Sequence, residues 1–331
     1  MRNHPLITAF FYKLYAGRGT ILMLHNVVET EDDIVHPDLE ITIKNLESLI
    51  IYFKEADYDI ISLDQISDYL MPKKKSKKFV IFTFDDGYKS NLTLAYPLFK
   101  KHDVPFTIYV TTSFPEKTVK LWWYALATLI NSLEIVSFSY LGKNYQFLTI
   151  TSDEKLQAIR EISTIFYHSD DIDELIKILF TPHNIKLKDF TDNYVLTWED
   201  IIFLDEDKLV TIACHTHNHF SLKDLSASDA KWEMVYSKSL LEEKLNHKIK
   251  YFAYPFGKIE HASWREFKLA EDVGFLTSTT NRSGNVFFKH HLHLHAMPRV
   301  NVTSYQSHEN ITSILGKRQT RLNKGKRIII D

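Results

Sequence analysis

The chain has 331 residues, 44% of them hydrophobic, with 40 Lys and Arg against 42 Asp and Glu for a formal charge of −2. That is enough apolar material for one large domain or one domain with an insertion, and the even charge balance gives no general pull toward nucleic acid. The single cysteine, Cys214, excludes an internal disulfide framework. No run reaches the ~18 apolar residues of a membrane span. The N-terminus M-R-N-H-P-L-I-T-A-F-F-Y lacks a signal-peptide pattern, so the expectation is a cytoplasmic protein.

In chain order, Thr20 to Leu24 reads as a first strand, followed by His25 and Asn26. Ile41 to Ala56 carries apolar residues at helical spacing, Tyr58 to Leu63 reads as a short strand, and Leu63 to Ile66 opens a second helix. The lysine run P-K-K-K-S-K-K (72–78) reads as a solvated loop. It leads into F-V-I-F-T-F-D-D-G-Y (79–88), an apolar strand ending in two carboxylates. A helix over Asn91 to His102 and a strand over Val104 to Thr111 continue an alternation that predicts a parallel α/β sheet or barrel. The rhythm breaks between 120 and 193, where three helical stretches (Leu121 to Leu133, Glu154 to Tyr167, Asp171 to Phe180) predict a helix-rich insertion beside the site. Strands resume at Leu209 to Ala213, Tyr251 to Ala253, Phe275 to Thr280 and Met297 to Val302. The expected organisation is therefore a first barrel part (1–119), the insertion (120–193), a second barrel part (194–315) and a basic tail (316–331). The tail reads as a frayed, solvated end that is compatible with contact to an anionic membrane surface.

Catalytic groups of parallel α/β folds collect at the C-terminal ends of strands, where Asp85 and Asp86 sit. Strand alternation sends adjacent side chains in different directions, so the two carboxylates are expected to do different work. Gly87 permits a tight turn or a close ligand approach. A second strand runs into C-H-T-H-N-H (214–219). His215 and His219 have i, i+4 spacing, and with a carboxylate from a neighbouring strand they can form a two-histidine, one-carboxylate metal site with open positions. His217 lies between them and is not required as a ligand. Cys214 should point to the opposite side, into the core. A third strand ends in Y-F-A-Y-P-F-G-K (251–258), where aromatic faces suit sugar rings and turn N–H groups suit an oxyanion.

Together these stretches resemble the polysaccharide deacetylase family, the NodB-homology carbohydrate esterases. Thr83-Phe84-Asp85-Asp86-Gly87 resembles the first motif, His215-Thr216-His217-Asn218-His219 the second, and Pro255-Phe256-Gly257 the end of the third. I-L-M-L-H-N-V (21–27), V-P-F-T-I-Y-V-T (104–111) and L-T-W-E-D (196–200) are similar to the surrounding context. The resemblance covers most of the chain outside the insertion. It implies a deformed (β/α) barrel and metal-dependent hydrolysis of an N-acetyl group from an amino sugar of a glycan or glycan precursor. Asp85 is then the general base, and Asp86, His215 and His219 hold a divalent metal, with Zn²⁺ the ion implied. Tyr88, Tyr254, Pro255, Phe256, Gly257 and Arg299 are the candidate substrate-site residues.

The chain departs from the family pattern in three places. An arginine often precedes the third-motif proline, but Ala253 stands about there, and Arg299 in M-P-R-V-N-V is the expected replacement. The fourth motif's Asp and Trp are absent from S-T-T-N-R-S-G-N (278–285). The fifth motif's histidine, the usual general acid, is also absent; His291, His293 and His295, expected on one strand face, are the candidates, and the pattern does not choose among them. These losses resemble the surface-polysaccharide branch of the family. The implied partner is an N-acetylated oligosaccharide or polysaccharide, with no nucleic acid; the location expected is the cytoplasm, including the inner face of the membrane. An O-acetyl esterase on the same site and a non-catalytic glycan-binding barrel are the rival readings.

Overall fold

The structure is a computed structural model, and it describes residues 16–71, 77–169, 171–303, 314–318 and 330. Most of the lysine run and of the basic tail therefore lies outside the described residues. The described residues form twelve strands, β1 (Gly19–Leu24), β2 (Asn26–Val28), β3 (Glu40–Thr42), β4 (Asp59–Ile60), β5 (Phe79–Asp86), β6 (Phe106–Val110), β7 (Ile135–Tyr140), β8 (Lys143–Leu148), β9 (Val210–Cys214), β10 (Tyr251–Ala253), β11 (Thr277–Ser283) and β12 (Met297–Asn301). Seven of them close on themselves in the order β1-β12-β11-β10-β9-β6-β5, because β1 pairs with both β12 and β5. All seven pairings are parallel. β4 adds only to the first two residues of β5.

β1, β5 and β6 are mainly apolar because both of their faces are buried, whereas β11, T-S-T-T-N-R-S, is polar along its length. On β5, Val80, Phe82 and Phe84 face outward into a layer shared with Leu46, Ile50 and Phe53 of the helix Ile43–Glu55 and Phe99 of the helix Tyr96–His102. Ile81 faces inward beside Ile21, Tyr109, Ala213, Ala253 and Met297. On β5 and β12 the inward-facing positions toward the C-terminal ends are polar, Thr83, Asp85 and Arg299, and there the site is built.

Residues 122–194 hold four helices, Trp122–Ser132, Ser152–Tyr167, Ile172–Phe180 and Leu187–Tyr194, around a separate core that includes Leu126, Ile130, Phe138, Ile162, Phe166, Leu175 and Phe180. This segment is not purely helical: β7 and β8 form an antiparallel hairpin across Leu141 and Gly142. Both turn residues have positive φ, +48° and +72°, as a two-residue hairpin turn requires. Among the described residues, no helix is long and apolar enough to cross a membrane.

Candidate active site

Asp85 continues the inward alternation of Ile81 and Thr83 on β5. Its carboxylate is buried and held by Arg299 in a bidentate pair, Nη1 to Oδ1 at 2.6 Å and Nη2 to Oδ2 at 2.7 Å. Arg299 also donates through Nε to the Thr280 carbonyl at 3.0 Å and through Nη1 to Thr83 Oγ1 at 3.2 Å, and its guanidinium lies 5.5 Å from the centre of the Tyr109 ring. A fork held on both sides in this way has little freedom to turn. Only closure of the barrel, which makes β1 the link between β12 and β5, brings this arginine to this aspartate. Burial alone would raise the Asp85 carboxyl. Arg299, and then His215, outweigh it and hold the group below the ordinary carboxylate value.

Regular alternation would turn Asp86 outward. Instead its φ is +75°, followed by +95° at Gly87, and the chain bends so that Asp86 reaches the same imidazole as Asp85. Asp86 Oδ1 lies 3.5 Å from His215 Nε2 and 3.3 Å from His219 Nε2, while Asp85 Oδ2 lies 3.9 Å from His215 Nε2. The expectation that the two carboxylates diverge is thus corrected: a left-handed residue at the strand end converges them. Burial opposes ionisation of Asp86, but the nearby charge of His219, and then those of His25 and His215, hold the carboxyl well below its usual range.

The histidines come from a tight loop after β9 rather than a helix, with left-handed backbone at Thr216 (φ +65°) and His219 (φ +58°). His215 Nδ1 donates to the Ala253 carbonyl at 2.7 Å, which leaves the Nε2 lone pair facing the aspartates. Burial pulls its pKa down to about 4, so it is neutral near pH 7. The buried Glu233 fixes the loop, accepting from the N–H groups of His217 and Asn218 at 2.9 and 2.8 Å and from Asn218 Nδ2 at 2.7 Å. The Thr216 hydroxyl accepts from the His219 N–H at 3.1 Å.

One ligand atom each from Asp86, His215 and His219 lies within 4.8 Å of the others. Asp86 Oδ1 is buried and makes no hydrogen bond among the described residues, an expensive state for a carboxylate oxygen unless a cation faces it. Two imidazoles and one carboxylate with an orphaned oxygen fit a small divalent ion and leave positions open for water and substrate.

The remaining predicted residues divide. Phe256 (φ +58°) lies with its ring centre 4.9 Å from that of His219, and Gly257 (φ +58°) packs so tightly that a Cβ would sit 2.4 Å from the Asn281 nitrogen. Pro255 is buried in the same turn. Tyr88 is fully buried, accepts from Trp123 Nε1 at 3.1 Å, and feels the Asp86 charge after burial, so it lines the floor of the site. Tyr254 is not brought to the site. It falls one residue out of phase with the inward Ala253, and its hydroxyl donates outside the barrel interior to the His295 carbonyl at 2.9 Å. His217 turns away to Thr112 and the rings of Trp232 and Tyr236. Cys214 lies in the outer core, 2.9 Å from Ser237 Oγ.

His291, His293 and His295 do not share a strand face. They lie in or just after a 3-10 turn, Phe288–Leu292, ahead of β12. Val286 pairs with Gly19, and the Leu294 carbonyl accepts from Ser278, so this segment runs past the beginnings of β1 and β11 and not the site end. Their contacts go to Phe288, Trp264 and Ser278. The sequence reading passed over two residues. Glu233 lies mid-helix with no motif around it. His25 follows β1 at the site end, and its influence reaches both Asp85 and Asp86. Its position directly after a barrel strand was the available signal.

Comparison with known proteins bears on the family and on the fold. Residues 72–275, well over half of the chain, match the family model described as polysaccharide deacetylase. A Bacillus subtilis (strain 168) protein provisionally named as a polysaccharide deacetylase, YxkH, is 32% identical over 91 residues, covering 27% of this chain and 30% of that protein. The match thus spans less than a third of that relative's length. The Streptococcus pyogenes deacetylase PplD, solved in complex with acetate, aligns with a TM-score of 0.59 at 18% identity over 89% of this chain and 97% of that one. IcaB from Ammonifex degensii aligns with a TM-score of 0.56 at 17% identity over 90% and 96%. At these identities the two structures share the barrel fold with this chain.

Proposed function

Because the chain belongs to the polysaccharide deacetylase family, we propose that it hydrolyses the N-acetyl group of an amino sugar within a glycan or glycan precursor, releasing acetate. The observation that carries this reading is the buried Asp85–Arg299 pair set directly against the Asp86, His215 and His219 cluster. Glycan binding alone needs no ionised carboxylate locked beside a metal-ligand set.

Asp86, His215 and His219 would hold a divalent cation, proposed as Zn²⁺, which supplies Lewis-acid activation of a water and of the acetyl carbonyl. Asp85 accepts the proton of the attacking water. Arg299 keeps that carboxylate ionised at neutral pH and aimed by its bidentate grip. The Phe256 N–H, in the left-handed turn after β10, donates to the oxyanion that forms as water adds to the carbonyl carbon. A proton returns to the amine as the C–N bond breaks, leaving acetate and a free amino sugar.

The test is acetate release from N-acetylated oligosaccharides by zinc-loaded protein. The proposal expects release by the wild type and near-background release by Asp85→Asn. A zinc-loaded wild type that releases acetate only from O-acetylated glycans, or from none, contradicts it.

A further inference from the structure

The insertion places one residue at the edge of the catalytic cluster. Tyr167 ends the helix Ser152–Tyr167, and its ring centre lies 5.2 Å from that of Phe256 at an interplanar angle of 80°. Phe256 is in turn 4.9 Å from His219. The two rings form a corner one ring-width from the metal-ligand set. Tyr167 is 55% exposed, unusual for an aromatic residue so close to a buried polar site.

The corner is held rigidly from behind. Phe166 stacks on Trp122 with centres 4.3 Å apart and planes 2° from parallel, and Trp122 meets Tyr167 edge-on at 5.3 Å. The helix is tied to the turn between β2 and β3 by the bidentate pair of Arg160 with Asp38, at 2.9 and 2.8 Å. Fixed, exposed aromatic faces are suited to the apolar C–H faces of a pyranose ring, since they are ordered before the ligand arrives.

We propose that Tyr167 and Phe256 form a sugar-binding corner that seats a pyranose ring of an N-acetylated glycan beside the catalytic cluster, so that the insertion selects the substrate. This rests on the glycan reading above, and its test does not depend on turnover. The probe is a β-linked N-acetylglucosamine tetramer, titrated calorimetrically into zinc-loaded Asp85→Asn protein. Adding Tyr167→Ala is expected to weaken binding roughly ten-fold, whereas Tyr167→Phe keeps affinity within about two-fold. Phe203→Ala removes an aromatic side chain of similar exposure, 52%, that packs beside Tyr96 on the barrel's outer side, and it should leave affinity unchanged. Equal affinity with and without the Tyr167 ring, equal loss in the Phe203 variant, or no binding of the tetramer by the Asp85→Asn parent overturns the proposal. Acetate release by the wild type reads the reaction separately: tetramer binding that depends on Tyr167, without any release, removes the deacetylase reading and leaves the sugar corner standing.

Discussion

In the barrel, residues that meet are distant in sequence; in the insertion, they are near. Asp85 and Arg299 are separated by 214 positions and touch only because the sheet closes. In the insertion, β7 pairs with β8 across a two-residue turn, and successive elements pack around their own core. The barrel therefore supplies long-range geometry to sub-ångström tolerance, which chemistry demands. The insertion is a local unit that adds shape at the rim, where tolerance is looser. The barrel positions are expected to be intolerant even of isosteric change, and insertion positions to respond in proportion to what they bury.

The largest expected effect breaks the metal-ligand set: His219→Ala should reduce acetate release by roughly 10⁴-fold, since Lewis-acid stabilisation is worth several kcal/mol. Asp85→Asn, nearly the same size, should cost about 10³-fold while the cation remains bound. Steady-state kinetics on an N-acetylated oligosaccharide checks both.

Arg299→Met tests the closure contact itself. Leaving Asp85 buried without its partner should cost about 3–5 kcal/mol in denaturant unfolding. It should also move the acidic limb of kcat/KM to higher pH, because burial then raises the carboxyl against only the weaker influence of His215 and His25. The sign for stability follows from the same shift. Asp85 is depressed in the folded state, so its contribution is present above the unfolded carboxylate value and is lost as pH falls through the lower folded one. An acidic limb that stays in place in the variant would remove Arg299 from the account.

Within the insertion, Phe166→Ala removes a fully buried ring and should cost about 3–5 kcal/mol. Hydrogen exchange should show faster exchange in residues 122–194 while β5 and β6 stay protected. The smallest effect is expected at the exposed rim tie: Arg160→Ala should change stability by about 1 kcal/mol or less, because solvent screens the pair.

The candidate cluster was readable because its residue types are chemically specific and stand at strand ends. T-F-D-D-G and H-T-H-N-H each sit where an apolar run stops, and the order of strands does the rest. Arg299 was readable as the replacement for the missing third-motif arginine, but its contact with Asp85 is a property of the closed sheet. Tyr254 shows the limit of counting, since a one-residue error in phase moves a side chain to the other face of a strand. H-L-H-L-H alternates like a strand, yet His290 Nδ1 accepts from the Phe287 N–H at 2.8 Å and the chain closes a 3-10 turn instead. Ile135 to Tyr140 alternates in the same way and does form a strand, because Leu141 and Gly142 turn it back onto a partner. Alternation became structure only where a pairing edge was at hand.

The central claim is that Asp86, His215 and His219 hold a cation that Asp85 does not. Zinc per chain, measured by elemental analysis after zinc loading and desalting, tests it in the wild type, Asp85→Asn and His219→Ala. The account predicts about one zinc in each of the first two and little in the third. No zinc in the wild type, or equal zinc in His219→Ala, would contradict it.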